Sequence, residues 1–244
     1  MDQVRLETKF VTGVSSNLGG SGDPSIMTAK GTLHGICAAV KHRLKKDSLK
    51  GVRVSIQGIG SVGKHVCRML HEMGAKIFAT DIDHNRLKEV QNLYGATIVS
   101  EQDFYQLDVD VYAPCARGAT LNDSHIQALK AKVIAGCANN QLEDEEKHSK
   151  MLKDLNILYA PDYVINAGGL IHVANEITGY STEKVETEIA RIAETLQAIF
   201  TQSDKQNVST HEAAKRFAEN RIHEAAKLKV LTQFSNSAIG NLKK

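Results

Sequence analysis

Three glycines in the run Gly58-Ile59-Gly60-Ser61-Val62-Gly63 carry the most specific chemical message in the chain, because of what stands on either side. The stretch Val52-Arg53-Val54-Ser55-Ile56-Gln57 precedes them and reads as a buried strand, and His65 to Met73 follows at helical spacing. A second strand, Ile77-Phe78-Ala79-Thr80, ends in Asp81. A G-x-G-x-x-G turn between strand and helix, with an acid about 20 positions on, is suited to hold a dinucleotide. Gly58 permits the tight turn, Gly60 has no Cβ to keep a pyrophosphate away, and Gly63 lets helix and strand approach. The first helical turn offers unpaired N–H groups and the positive end of its dipole to the phosphates. Asp81 would accept hydrogen bonds from an adenosine ribose and repel a 2′-phosphate, so NAD is the expected cofactor rather than NADP. A glycine-rich turn that only packs a helix is the alternative for the same residues.

Other chemistries find less support. Cys37, Cys67, Cys115 and Cys137 form no CxxC pair and lie in apolar segments, which predicts reduced, buried thiols. The ten histidines show no HExxH or comparable spacing, and no metal is expected. A formal net charge of +2 argues against nucleic acid or an anionic membrane as partner. No apolar run reaches the ~18 residues of a membrane span, and the first residues lack the apolar core of a signal peptide, so a cytoplasmic location is expected.

The elements that must position the glycine turn follow from periodicity. Residues 1–24 read as irregular to extended, with a short strand at 10–14 and a loop at 17–22; Asp23-Pro24 starts a helix that runs over 26–44. After a charged linker at 45–51, strands and helices alternate: helix 82–94, strands 97–99 and 109–113, helix 122–129 capped by Asn122 or Asp123, strand 132–137, helix 143–155 and strand 157–160. Helices alone are expected from Ala167 on, at 167–178, 182–204 and 209–232, before a polar tail. The fold class is therefore α/β: a doubly wound, mostly parallel Rossmann sheet followed by C-terminal helices. At 244 residues the chain has room for one or two domains. The expected division is a hinge or linker remnant at 1–27, the NAD-binding domain at 28–205 and a C-terminal helical region at 206–244.

Three further segments fall where ligands bind such sheets, at the carboxyl ends of strands. They are Ala113-Pro114-Cys115-Ala116, Ala135-Gly136-Cys137-Ala138-Asn139-Asn140-Gln141, and Ala160 to Gly169 with its Asn166-Ala167-Gly168-Gly169. Together with Ser21-Gly22-Asp23-Pro24 and Thr28-Ala29-Lys30-Gly31, they make the chain resemble the glutamate/leucine/phenylalanine/valine dehydrogenases over residues 8 to 228. The resemblance implies NAD-dependent oxidative deamination of an L-amino acid to a 2-oxo acid, with leucine as the expected substrate. It implies that Gly58, Ile59, Gly60, Ser61, Val62, Gly63 and Lys64 hold the pyrophosphate and Asp81 the adenosine ribose. Thr28 would bond the nicotinamide carboxamide, and Ala138, Asn139, Asn140 and Asn166 would surround the nicotinamide end. Asn166 would also meet the substrate, whose side chain Leu170 and Val173 would line. Each of these residues has a plainer reading. Asn140 caps a helix near Glu143, Asn166 shapes a turn, Thr28 is an ordinary first-turn threonine, and Leu170 and Val173 are core.

The chain also departs from the family pattern. His172 stands where a polar amide is usual, Asn175-Glu176 where Asp-Glu is usual, and Leu170 is bulkier than expected of a leucine enzyme, resembling the phenylalanine-specific type. An apolar pair still argues against a glutamate substrate, whose carboxylate needs a cationic or hydroxyl partner. The family carries an N-terminal substrate domain with a catalytic lysine, a second lysine for the substrate carboxylate and an aspartate; none is found here, and no catalytic residue is assigned. Losing a positioned base costs about 10²–10⁴ in rate, so the expectation is a chain that binds NAD and turns over little or no amino acid alone. Relatives are oligomers assembled largely through the absent domain, so a homo-oligomer is left open, with an apolar face on the C-terminal helices expected to drive self-association. A non-catalytic NAD-binding module is the rival reading.

Overall fold

The computed structural model describes the backbone of residues 1–241 and the side chains of 1–177 and 179–227. Its six strands are β1 (Arg53–Gln57), β2 (Lys76–Thr80), β3 (Thr97–Ile98), β4 (Val111–Pro114), β5 (Val133–Ile134) and β6 (Leu158–Tyr159). Its helices are α1 (Asp2–Glu7), α2 (Ser25–Leu44), α3 (Ser61–Glu72), α4 (His84–Tyr94), α5 (Glu101–Phe104), α6 (Asp123–Ala128), α7 (Glu145–Asp154), α8 (Asp162–Ile165), α9 (Gly168–Thr178), α10 (Thr182–Gln206) and α11 (Thr210–Asn241). All strand pairs are parallel, in the order β3-β2-β1-β4-β5-β6. The chain winds outward from β1 one way through β2 and β3, then returns to the other side for β4, β5 and β6. The crevice between β1 and β4 is therefore a topological switch point, where such sheets bind ligands.

The two-residue period of a strand sorts side chains into two cores. Val111 and Ala113 of β4 join the larger core with Val54 and Ile56 of β1 and the buried faces of α2, α3 and α10. Tyr112, between them, points the other way and packs with Phe104, Ile126, Ile134 and Leu152. Local chemistry sets the helix ends. Asp83 accepts from Asn85 N (2.9 Å) and Arg86 N (3.4 Å) to start α4, and Gly95 at φ 63° stops it. Asn122 accepts from His125 N at 2.9 Å to start α6, which decides between the two predicted caps.

Several expectations are corrected. Residues 10–14 form no strand: all six described strands belong to one sheet, and the Gly13 amide goes instead to the Glu176 carboxylate, 3.1 Å from each oxygen. The irregular start contains α1 and a 3₁₀ turn at Ser16–Leu18. The helix after the glycine turn begins at Ser61, not His65, so the turn itself is the helix entry. The strand expected at 132–137 is only Val133–Ile134, because the chain leaves the ladder at Ala135 to build the loop discussed below. The short helices α5 and α8 had too few residues for periodicity to register. The expected tail after 232 continues as helix through Asn241. Only Cys67 is buried; Cys37, Cys115 and Cys137 are free thiols that are partly open.

Candidate functional site

The glycine turn sits at the switch point, at the carboxyl end of β1 and the amino end of α3. Its three glycines meet different constraints. Gly58 adopts φ 95°, and a Cβ there would lie 2.7 Å from the Ala116 side chain. At Gly63 a Cβ would come within 2.0 Å of Gly58 O, so this glycine serves helix–strand contact. At Gly60 a Cβ would meet only Arg86 Nη1, 3.9 Å away. Among the described residues no other atom comes within 4 Å of that position, which lies at the entry to the first turn of a 12-residue helix.

Asp81 stands beside the turn. One carboxylate oxygen accepts from Ile59 N and the other from Asp83 N at 2.8 Å. Two main-chain donors thus fix its orientation, and a carboxylate keeps further lone pairs for sugar hydroxyls. The opening above Gly60 and the held acid match the needs of a dinucleotide's diphosphate and ribose. Lys64 turns elsewhere. Its ammonium pairs with Glu89 of α4 at 2.5 Å, and that bond raises its pKa from the ordinary lysine value. Arg86, which the motif did not single out, is the cation nearest Gly60; its guanidinium lies 3.3 Å from Asp83. Its signal in sequence was position alone, in the first turn of the helix after Asp81.

Across the crevice, the loop after β5 brings the asparagines together. Asn166 Nδ2 donates to Asn139 Oδ1 at 2.6 Å and to Cys137 O at 3.4 Å. Asn140 is exposed at φ 49°, a left-handed turn residue, and its carbonyl accepts from Ala119 N at 2.6 Å. It is not a helix cap: Asp144 caps α7, accepting from Lys147 N. Gln141, fully buried, donates through Nε2 to Gly136 O and Ala138 O, both at 2.9 Å, which ties the loop into one piece. Ala138 is buried inside it.

The start of α9 closes the third side. Gly168 and Gly169 allow α2 and α9 to touch: their Cβ positions would be 2.2 Å from Met27 O and 2.4 Å from Thr28 Oγ1. Thr28 itself donates to Pro24 O at 3.0 Å. Leu170 is 71% exposed, and Val173 is half-buried. The core reading of Leu170 therefore fails. His172, which departs from the family pattern, and Glu176, which keeps it, pin the segment before α2. His172, buried, approaches Ser21 O at 3.0 Å and the Tyr180 hydroxyl at 3.1 Å. Glu176 accepts from the Ser21 hydroxyl and from the amides of Ser21 (2.9 Å) and Gly13. Burial raises the Glu176 pKa, but these hydrogen bonds outweigh it, and its carboxyl titrates below the ordinary value.

A doubly wound parallel sheet with a glycine turn opening at its switch point defines a Rossmann-type nucleotide-binding fold. The chain matches the Glutamate/Leucine/Phenylalanine/Valine dehydrogenase model over residues 19–84 and 78–229, and it belongs to that family. It is 49% identical over 231 residues to the L-tryptophan dehydrogenase of Nostoc punctiforme, covering 93% of this chain and 65% of the relative. It is 45% identical over 222 residues to the leucine dehydrogenase of Bacillus cereus, covering 91% and 60%. The crystal structure of the Nostoc punctiforme enzyme superposes with a TM-score of 0.81 at 49% identity, over 82% of this chain and 61% of that one. A hetero-hexameric glutamate dehydrogenase from Thermus thermophilus shares the fold, with a TM-score of 0.73 over 93% and 59% of the two chains at 22% identity. The chain thus spans less than two thirds of the length of these relatives.

Proposed function

We propose that this chain is the coenzyme-binding part of an NAD-dependent dehydrogenase acting on an L-amino acid with an apolar side chain. The observation that carries the reading is the space at Gly60, empty of protein and set over the α3 amino terminus beside the anchored Asp81. Gly58 to Gly63 would receive the diphosphate and Asp81 the adenosine ribose, with the acid disfavouring a 2′-phosphate. The Asn139–Asn166 pair, with Ala138, Asn140 and Thr28, would border the nicotinamide end. NAD, once bound, supplies a hydride acceptor. Leu170 and Val173 would face an apolar substrate side chain. The exposure of Leu170 supports this role, since a large apolar residue open at a cleft is available for contact.

Leucine remains within this reading, and the tryptophan-named relative widens it to larger side chains. The test is to purify residues 1–244, titrate NADH by fluorescence, and follow NADH formation with leucine, tryptophan and phenylalanine. Saturable NADH binding with little turnover is the expected result. Failure of well-folded protein to retain NADH would end the proposal. Robust turnover would refute the other half of the proposal, that this chain is only the coenzyme-binding part.

A further inference from the structure

Cys115 and Cys137 lie just beyond the carboxyl ends of β4 and β5, neighbouring parallel strands, inside the crevice assigned to the coenzyme. Ala138 N donates to Pro114 O at 2.9 Å, which holds the two segments side by side. Cys115 follows Pro114 and Cys137 precedes Ala138, so each thiol stands one residue from that hydrogen bond, and a disulfide spans a Cα separation of ~4.4–6.8 Å. Each of the two thiols shifts the ionisation of the other, as near neighbours do. Cys115 and Cys137 are partly exposed residues, whereas Cys67 is buried and burial pushes its thiol up to about 12.

We propose that Cys115 and Cys137 form a redox modification site, closing to a disulfide under a hydroperoxide oxidant and weakening coenzyme binding when closed. Its consequence rests on the dinucleotide reading above; the bond itself does not. The facing Cys137 groups draw Cys115 below the ordinary thiol value, and the same contact, with burial, raises Cys137. Cys115 is the attacking thiolate. Its sulfur takes the distal oxygen of hydrogen peroxide, the O–O bond breaks, and hydroxide leaves and is protonated to water. The Cys137 thiol then loses its proton and attacks the Cys115 sulfenic sulfur, and the S–O bond breaks to release a second water. The two thiols lose two electrons and two protons, and one peroxide becomes two waters.

The surroundings give the bond a consequence because they have no slack. The Cys115 Cβ lies 3.4 Å from the Cβ position of Gly63, and Ala116 abuts Gly58. On the other strand, Cys137 O accepts from Asn166, and Gly118 packs against the Asn139 and Asn140 carbonyls. Drawing the two sulfurs together shifts both the glycine turn and the asparagine loop.

The test uses the full chain, reduced and freed of reductant, then treated with hydrogen peroxide. Mass spectrometry should find a peptide pair linked through Cys115 and Cys137, and the free thiols should fall from four to two. The NADH Kd should rise by about tenfold or more, as ångström-scale misplacement produces, and dithiothreitol should restore it. Cys137→Ser and Cys115→Ser should each bind NADH when reduced and lose the peroxide response. No linkage, or linkage through Cys37 or Cys67, overturns the proposal; so does a Cys115–Cys137 bond that leaves the Kd unchanged. If the reduced protein binds no NADH, the function proposed above fails while the linked-peptide result still decides the thiol chemistry.

Discussion

At Gly60 and Gly63 the same residue type answers two different demands, and substitution separates them. Gly60 has φ −74°, which alanine adopts without strain, and its Cβ would enter open space. Gly60→Ala should therefore leave the melting temperature nearly unchanged while crowding the diphosphate. Overpacking of that kind costs about 1–3 kcal/mol, roughly 5- to 150-fold in NADH Kd. Gly63→Ala should instead destabilise the fold by a similar amount, since its Cβ would collide with Gly58 O. Calorimetry with NADH titration on both variants checks the pair. Asp81→Asn retains an acceptor for Ile59 N but removes the charge, so NADPH should gain on NADH in a comparison of the two Kd values. The setting of Asp81 beside the glycine turn was legible in the sequence, because it follows from short spacing and residue type. The approach of Arg86 to Gly60 was not, because the turn and α4 are brought together only by the fold.

At the scale of elements, α9 is the piece that joins the crevice to the segment preceding α2. Its close contact with α2 depends on Gly168, and Gly168→Ala, driving a Cβ toward Met27 O, should cost about 1–3 kcal/mol and lower the melting temperature by several degrees. Glu176 on the same helix makes the anchoring pH-dependent. Its folded pKa lies below the ordinary value of 4.5, so its contribution to stability is fully present above about that pH. The contribution is lost as pH falls through the lower folded value. Glu176→Gln, which keeps one acceptor but no charge, should melt earlier than the parent at pH 7, and the difference should shrink below pH 4.5. Melting curves of both proteins between pH 3 and pH 7 decide it. The strand expected at 10–14 misled because alternating apolar residues describe a half-buried extended chain equally well when its amides meet a carboxylate instead of a ladder.

For the whole molecule, the two cores on opposite faces of the sheet make the chain a folded unit, as the NADH-binding expectation requires. Leu152 fills the smaller core at 0% exposure, and Leu152→Ala should cost about 2–5 kcal/mol, visible as a lower denaturation midpoint in urea. Exposed apolar side chains do not gather on the described part of α11, where Ile222 stands among Arg221, His223 and Glu224. Exposed large ones near the amino end and on α9 include Leu6, Phe10, Leu18, Leu170 and Ile177. The rest of the apolar face expected of the C-terminal helices falls on side chains outside the described residues, beyond 227.

Sequence alone determined the α/β class, the glycine turn with its acid, and membership of the dehydrogenase family. Each rests on a local pattern: the two-residue period of strands, the 3.6-residue period of helices, and residue types at fixed short spacings. Tertiary structure decided which side chains meet. It set Asn139 against Asn166, the Pro114 carbonyl on the Ala138 amide, Glu176 on the amides of Gly13 and Ser21, and Lys64 on Glu89. Such contacts follow from the order in which parallel strands assemble and from how closely helices pack, and neither is written in any short stretch of chain.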